Sequence, residues 1–311
     1  MTEALRLEGV SKAYGSVQAV HPMDLLVPRG AIYGLLGPNG AGKTTTIRMI
    51  MDIIKPDTGR ITLLGESDPE HRRDRIGYLP EERGIYRKLK VRELLVYLAR
   101  LRSVPGQEAK VRANRWLERF SLSERAEDKV ESLSKGNAQK VQFIATVLHQ
   151  PEAVILDEPF SGFDPVNVDL VKNILLELRE EGMTIIFSTH QMETVEKLCD
   201  SICLIHQGRK VLDGPLAQVK SERGTGAIQI EYDGRPSFHR DASLVARFDD
   251  SGRFLEVIPA DGVSPQQILE AAARELQIRR FQVMEPSLQQ IFLEAVGVVG
   301  EERKQLSALV Q

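Results

Sequence analysis

The sequence predicts an α/β protein in which a parallel β-sheet is wound with helices, followed by a small second domain of the α+β class. Three short apolar runs, at residues 31–36, 153–157 and 184–189, have the length and composition of buried strands. Stretches with helical patterns separate these runs, as crossovers between parallel strands require. A chain of 311 residues is also long enough for about two domains.

The helical part of the first domain lies between the first two of these strands. Apolar residues recur there at helical spacing in two segments, with Leu94, Leu95, Leu98 and Leu101 in one and Ala113, Trp116, Leu117 and Phe120 in the other. We therefore expect a helical subdomain at about residues 90–148, inserted in a first domain that spans residues 1–220.

The chain changes character near residues 221–226, where a second domain is predicted to begin. A half-buried strand is indicated by polar residues that alternate with Ile228, Ile230 and Tyr232. Residues 264–267, Ser-Pro-Gln-Gln, have the pattern of a capped helix start. Further elements are expected at residues 254–258, 281–283 and 288–295. The second domain then covers residues 226–299, and residues 300–311 form a tail.

Composition limits the partners and the location that the chain can have. Hydrophobic residues make up 42% and charged residues 27%, which is ordinary for a folded, water-soluble protein. No apolar run approaches the ~18 residues that span a bilayer, and the first ten residues lack the apolar stretch of a secretory signal. The formal net charge of -3 gives no general attraction for nucleic acid, so no nucleic-acid partner is expected.

Cysteine content favours a reducing compartment. The only two cysteines, Cys199 and Cys203, argue against a disulfide framework. A metal site at this pair would need further ligands, and His206 is the nearest candidate. We favour the alternative, in which both cysteines are small, semi-buried side chains on a helix.

A glycine-rich segment between the first predicted strand and a helix that begins near Lys43 has the phosphate-binding pattern. The residues assigned to nucleotide binding here are Gly37, Pro38, Asn39, Gly40, Ala41, Gly42, Lys43, Thr44 and Thr45. Glycines let the backbone wrap closely and turn its amides toward phosphate oxygens, and the helix amino terminus adds partial positive charge. We expect Lys43 to reach the β and γ phosphates and Thr44 to offer its hydroxyl to Mg2+.

Two neighbouring carboxylates, Asp157 and Glu158, close the second predicted strand. A carboxylate at a strand end beside the phosphates can hold Mg2+, directly or through water. A second carboxylate next to it can act as the base that polarises an attacking water. Acidic residues often end strands, so the position downstream of the phosphate-binding segment is what favours a catalytic role.

Four further segments carry a resemblance to a known family. Residues 133–137, Leu-Ser-Lys-Gly-Asn, look like the signature motif of ABC ATPases, usually written LSGGQ. Residues 161–164, Ser-Gly-Phe-Asp, look like their D-loop. His190, after the third strand, looks like their switch histidine, and Tyr14 like the aromatic residue that stacks on adenine. In this order the segments resemble the ABC ATPases over about residues 3–220.

The resemblance implies a head-to-tail dimer, homomeric or heteromeric, with each ATP between the phosphate-binding loop of one subunit and the signature motif of the other. It assigns Ser134, Gly136 and Asp164 to nucleotide binding across the dimer, and His190 to a contact with the γ phosphate. Simpler alternatives stay open. Ser134 and Asp164 also fit as helix caps, His190 as a structural histidine, and Tyr14 as a surface aromatic residue.

Two departures from the family pattern are visible. Glu81, followed by Glu82, stands where the Q-loop of the family usually has glutamine, and the signature motif has Lys135 and Asn137 in place of glycine and glutamine. Glu81 is therefore assigned as a Mg2+ ligand, with the alternative that it points to solvent. Lys135 either faces phosphate or lies in solvent.

The resemblance predicts the ATP-hydrolysing subunit of an ABC transporter, which drives transport through separate membrane-spanning permease subunits. Its expected location is cytoplasmic, peripheral on the inner face of the membrane. Residues 286–292, which include Pro286, Ser287 and Leu288, resemble a small extension of bacterial exporter ATPases, including those compared with sodium exporters, so export is expected rather than import. Two rivals are a soluble ABC ATPase that acts on ribosomes or DNA and a different P-loop enzyme, such as a kinase or GTPase.

Overall fold

The structure, a computed structural model, describes residues 3–81, 84, 86–223, 226–284 and 286–296. The chain divides into two compact units, with the division between Pro215 and Leu216. The predicted tail at residues 300–311 and the second acidic residue of the Q-loop segment, Glu82, lie outside the described residues.

The first unit combines two sheets with a set of helices. Its strands are β1 (Glu3–Tyr14), β2 (Val17–Pro28), β3 (Ile32–Leu36), β4 (Thr58–Leu63), β5 (Ile76–Leu79), β6 (Ala153–Asp157), β7 (Thr184–Thr189), β8 (Ser201–His206) and β9 (Arg209–Pro215). Its helices are α1 (Lys43–Ile50), α2 (Pro69–Arg72), α3 (Val91–Arg100), α4 (Gly106–Arg119), α5 (Lys135–Val147), α6 (Pro165–Glu180) and α7 (Met192–Leu198), with short 3-10 turns at Arg73–Arg75, Ser123–Arg125 and Val130–Ser132.

The central sheet has the strand order β5-β6-β7-β3-β8-β9. Strands β5, β6, β7, β3 and β8 run parallel, and β3, β6 and β7 are buried along their whole length. The three strands predicted from apolar runs and the α/β fold class are thereby confirmed. Because these strands are parallel, the segments that follow them emerge at one edge of the sheet.

Two features of this unit were not part of the predicted parallel sheet. Strand β9 pairs antiparallel to β8, and β1 forms a separate antiparallel sheet with β2 and β4. The pairing of β1 with β2 shifts in register between Leu7 and Val10. Such shifts break the alternation of apolar and polar residues, which is the signal by which a half-buried strand is recognised in a sequence.

The inserted helices α3, α4 and α5 bury their apolar faces. Leu94, Leu95 and Leu117 are buried, and the rings of Phe120 and Phe143 lie 5.7 Å apart. Helical periodicity therefore located α3 and α4 to within a few residues, although Leu101 of the predicted pattern is the C-cap of α3 and is exposed.

The two cysteines do not share a helix, so that interpretation is wrong. Helix α7 ends at Leu198, Cys199 is its C-cap, and Cys203 lies in β8. Both thiols are free and buried, and burial raises the pKa of each. Within the part of the chain that the structure describes, no group of three or more histidine, cysteine or acidic residues is placed to hold a metal ion, so no metal site is found at the cysteine pair.

The second unit is a four-stranded antiparallel sheet with helices. Its elements are α8 (Leu216–Arg223), β10 (Ile228–Asp233), β11 (Val245–Asp250), β12 (Phe254–Pro259), α9 (Pro265–Glu275), β13 (Gln277–Val283) and α10 (Leu288–Ala295), with a 3-10 turn at Phe238–Arg240. The strand order is β11-β12-β10-β13. Ser264 and Gln267 form the capping box of α9, and Ile268 of this helix packs in one core with Ile228 and Ile230. No helix among the described residues has the length and apolar character needed to cross a bilayer.

Candidate active site

The segment between β3 and α1 forms a cavity of about 230 Å³, lined by Ala19, Asn39, Gly40, Ala41, Gly42, Lys43, Thr44, Thr45, Glu81 and Glu158. Two glycines are needed for this loop to pack against the neighbouring strands β8 and β2. A Cβ atom on Gly37 would lie 2.1 Å from the carbonyl oxygen of Ile205, and one on Gly42 would lie 2.6 Å from that of Ala19. Gly42 also has a φ of 107°, which side-chain-bearing residues rarely adopt.

Lys43 is held inside this loop. Its ammonium group donates to the carbonyl oxygens of Gly37, at 2.8 Å, and of Pro38, at 3.1 Å. Burial lowers the pKa of Lys43, and the nearby carboxylates of Glu158, Asp157 and Glu81 oppose that shift. The loop therefore presents one fixed cationic group at the floor of the cavity, where the phosphates of a nucleotide would lie.

Asp157 lies at the carboxyl end of β6, next to the start of α1. The hydroxyl of Thr44 donates to Asp157 Oδ1 at 3.3 Å, and the hydroxyl of Ser188 donates to the same oxygen. The other oxygen, Asp157 Oδ2, is buried and has no hydrogen-bond partner among the described residues. A buried carboxylate oxygen without a donor, beside a hydroxyl, is an arrangement that fits Mg2+, which takes oxygen ligands and keeps several waters.

Glu158 follows directly in an uncommon backbone conformation, with a φ of 47°. Its backbone amide donates to Ser188, to the carbonyl oxygen at 3.2 Å and to the hydroxyl at 3.1 Å. Its carboxylate oxygen Oε1 lies 2.9 Å from Nδ1 of His190 and 3.9 Å from the ammonium of Lys43. The Glu158 carboxylate is buried and lines the cavity, whereas the His190 side chain is 51% exposed. This hydrogen-bonded pair therefore extends from the cavity to the protein surface.

Other predicted site residues do not line this cavity. Ser134 is the N-cap of α5 and accepts from the amide of Asn137 at 3.3 Å, and Asp164 is the N-cap of α6 and accepts from the amide of Asn167 at 3.0 Å. The hydrogen bonds from Asn167 lower the pKa of Asp164. Both Ser134 and Asp164 are therefore helix caps. Both are exposed at helix amino termini, where an anion would be favourably placed.

The remaining predicted residues lie near the surface. The Tyr14 ring, at the end of β1, is 49% exposed, with the Lys12 ammonium 5.8 Å from its centroid. No side chain would obstruct approach to Gly136, since a Cβ atom built there meets nothing within 4 Å. Lys135 is exposed, and Glu81 is exposed while lining the cavity.

Ser188 was not predicted as a site residue. It is fully buried near the end of β7, where it donates to Asp157 and accepts from the Glu158 amide. The available signal was a hydroxyl near the end of an otherwise apolar buried strand, because a buried polar side chain needs a partner. The sequence does not say which partner, since that depends on strand pairing.

Comparisons with known proteins agree with this geometry. Residues 20–161 match a family model described as ABC transporter, and residues 214–296 match one described as ATP-binding protein DrrA1-3-like, C-terminal domain. The first match covers the phosphate-binding loop, the segment of Ser134, and the two carboxylates.

Relatives that match over nearly the whole of both chains are also described as ATP-binding proteins. YhaQ of Bacillus subtilis, an ABC transporter ATP-binding protein, is 43% identical over 96% of this chain and 100% of its own length. The Nod factor export ATP-binding protein I of Burkholderia lata is 34% identical over 93% of this chain and 95% of its own. A solved structure of an ATP-binding subunit of an ABC transporter is 32% identical, with a TM-score of 0.67, covering 70% of this chain and 92% of that one.

The contacts of Ser188 generate a first prediction. Ser188→Ala removes a hydrogen bond to a charged carboxylate, worth about 1.5–3 kcal/mol, so ATP turnover should fall by roughly 10-fold to 100-fold while the affinity for ATP changes little. Steady-state hydrolysis and nucleotide titration measure the two quantities. Thr184→Val is the matched control, because it removes a buried hydroxyl at the opposite end of the same strand. Turnover within twofold of wild type for Ser188→Ala would contradict the role.

Proposed function

The chain belongs to the ABC transporter ATP-binding proteins, and we propose that two ATPase subunits close head-to-tail over two ATP molecules. In this family the subunit binds and hydrolyses ATP, and hydrolysis drives transport through membrane permease subunits. The chain is such an ATP-binding subunit.

One observation supports the proposed head-to-tail dimer. A single subunit surrounds its cavity with Lys43, Glu158 and Glu81, whereas Ser134 and Asp164 are exposed and are not among the residues that line it. The amino termini of α5 and α6 are thus exposed and favour the binding of phosphate. Neither of their caps lines the phosphate-binding cavity of the same subunit. A second subunit, identical or related, would supply these groups to the first, and the arrangement is reciprocal. Gly136 then permits close backbone approach.

The chemistry follows from the contacts around Glu158. Its carboxylate accepts a proton from a water molecule, and the water oxygen attacks the γ phosphorus as the bond to the β-phosphate oxygen breaks, which gives ADP and phosphate. His190, 2.9 Å from Glu158 Oε1, orients the carboxylate and contacts the γ phosphate. Lys43 binds the β and γ phosphates, and the Tyr14 ring stacks on adenine. Thr44, Asp157 and Glu81 would hold Mg2+, which would supply positive charge that offsets the phosphates.

We place the permease contact at a cleft beside the Q-loop segment. A cavity of about 250 Å³ there is lined by residues that include Tyr78, Pro80, Leu98, Arg102 and His149. Burial lowers the pKa of His149 to about 4, so this ring is uncharged at neutral pH, and Arg73 and Arg102 of the same cleft supply positive charge. Apolar side chains beside two arginines suit an amphipathic helix of a membrane subunit.

Location and direction follow from the family. We propose that the subunit is cytoplasmic and peripheral on the inner face of the membrane, and that it powers export. The export named for the Burkholderia lata relative supports this direction. We also propose that residues 1–220 act as the ATPase domain and residues 226–299 as an accessory domain for dimer contact or regulation.

The proposed role of Glu158 as the base can be tested by a substitution that keeps the size of the side chain. Glu158→Gln should still bind ATP but lose turnover by ~100-fold or more, because an amide cannot accept the proton of water. An ATP-bound dimer should then accumulate, which size-exclusion chromatography with light scattering would detect. Near-normal steady-state hydrolysis would rule out the role.

The composite sites can be tested by mixing subunits. Lys43→Ala should abolish ATP binding in its own site, and Ser134→Ala should weaken hydrolysis in the site of its partner. In a mixed dimer of these two variants both lesions fall on one site, so the mixture should recover activity. The control is the mixed dimer of wild type and the double variant, in which each site carries one lesion. Both mixed dimers are purified through a different affinity tag on each subunit, so that wild-type homodimers do not contribute. Equal activity of the two purified mixed dimers would count against the head-to-tail arrangement.

Glu81 generates a prediction about Mg2+. A carboxylate attracts Mg2+ more strongly than the neutral oxygen of glutamine does. Glu81→Gln should therefore retain ATP hydrolysis but need more Mg2+ for half-maximal rate, and its coupling to the permease should change. Magnesium titrations of wild type and variant, with and without the membrane partner, measure both effects. Superimposable curves in both conditions would favour a solvent-facing Glu81 without a role.

A further inference from the structure

Gln139 lies in α5, five residues after the Ser134 cap, and is 4% exposed. Its side-chain amide leaves the helix and donates from Nε2 to the carbonyl oxygen of Ser161 at 2.7 Å. Ser161 begins the short segment that ends at Asp164. A buried amide therefore joins the helix that carries Ser134 to the segment that carries Asp164.

The contact is tight on both sides. Gly162 has a φ of 81°, and a Cβ atom built on it would lie 2.5 Å from Gln139 Nε2. The segment thus has no side chain where the amide of Gln139 lies against it. On its other side, the amide of Ser161 donates to the carbonyl oxygen of Glu158 at 3.2 Å. Gln139 could therefore act through Ser134 and Asp164, or through Glu158.

We propose that Gln139 is a positioning residue that holds residues 161–164 in register with the amino terminus of α5. Ser134 and Asp164 then arrive at the ATP of the partner subunit as one rigid surface. This inference rests on the head-to-tail dimer of the proposed function. It adds that the two exposed caps are coupled within a subunit, and it identifies the side chain that couples them.

Geometry favours an effect on the partner's site over an effect on Glu158. The backbone of Glu158 is already held by two bonds to Ser188 and its carboxylate by His190, none of which involves Gln139. The backbone amides of Ser161 and Phe163 donate within their own turn, to the carbonyl oxygens of Glu158 and Phe160, and so do not connect residues 161–164 to α5. Ser161, Gly162 and Asp164 are exposed, and the segment contains a glycine at positive φ. The amide of Gln139 is the buried side-chain bond that the structure shows between this segment and α5.

The experiment compares two dimers purified with a different affinity tag on each subunit. In the first dimer, one subunit carries Lys43→Ala and the other carries Gln139→Met, which keeps length but removes the donor. Both lesions then fall on one composite site and the other site is intact. In the second dimer, one subunit carries both changes and its partner is wild type, so each composite site has one lesion.

The proposal expects the first dimer to hydrolyse ATP roughly tenfold or more faster than the second, since misplacement of about 1 Å can cost on the order of 100-fold. An effect of Gln139 on its own Glu158 reverses the order, because the second dimer then keeps one intact site. A general folding defect makes the two dimers equal. Either of these results overturns the proposal. The homodimer of Gln139→Met should lose turnover with its KM for ATP within about twofold of wild type.

The same two dimers are also made with Ser134→Ala in place of Gln139→Met. This comparison distinguishes a failure of the role of Gln139 from a failure of the head-to-tail dimer. If Ser134→Ala gives no difference between the two dimers, the head-to-tail arrangement fails. If Ser134→Ala gives the difference and Gln139→Met does not, only the role of Gln139 fails. Gln139→Glu is the second variant, because a carboxylate facing the Ser161 carbonyl also removes the donor. It should give the same order of activities.

Discussion

The site depends on the parallel register of β3, β6 and β7. In this register Leu36 pairs with Thr189 and Asp157 pairs with Ser188. The phosphate-binding loop, the two carboxylates and His190 therefore leave the sheet at the same edge, although they are far apart in the sequence. A shift of one residue would turn Asp157 away from Thr44, because successive side chains of a strand point to opposite faces. The buried apolar faces of all three strands fix the register and thereby the chemistry.

The same architecture supports the proposal that one subunit forms half of each site. Strand ends gather the groups proposed to hold and cleave the nucleotide, whereas Ser134 and Asp164 are N-caps of α5 and α6. A cap leaves amide groups of the first helical turn available for a ligand, so these termini serve structure and recognition together. The side chain of Gln139 connects the two termini within the subunit. Closure of a dimer would then be a motion of rigid surfaces toward each other.

Local signals in the sequence predicted the parts of the fold that they determine. The apolar run of β3 followed by glycines, lysine and threonine specifies a strand, a loop and a helix start, and all three are found at those positions. The capping box at Ser264 is equally local. Strands β1 and β2 were missed because register shifts interrupt their alternation. Ser188 and Gln139 were missed for another reason, since their partners are distant in sequence and are known only once the strands and helices have packed.

Charge imposes the last constraint on the site. Three carboxylates, those of Glu158, Asp157 and Glu81, act on the single buried ammonium of Lys43, whose pKa burial already lowers. A nucleotide triphosphate adds further negative charge, so its binding requires positive charge from elsewhere. The amino terminus of α1 supplies part of it, and the unpartnered Asp157 Oδ2 is where a divalent cation would supply more. A second subunit would add the amino terminus of α5 to the same phosphates. In the proposed dimer, this excess of acidic groups would make nucleotide binding depend on the cation and on the partner.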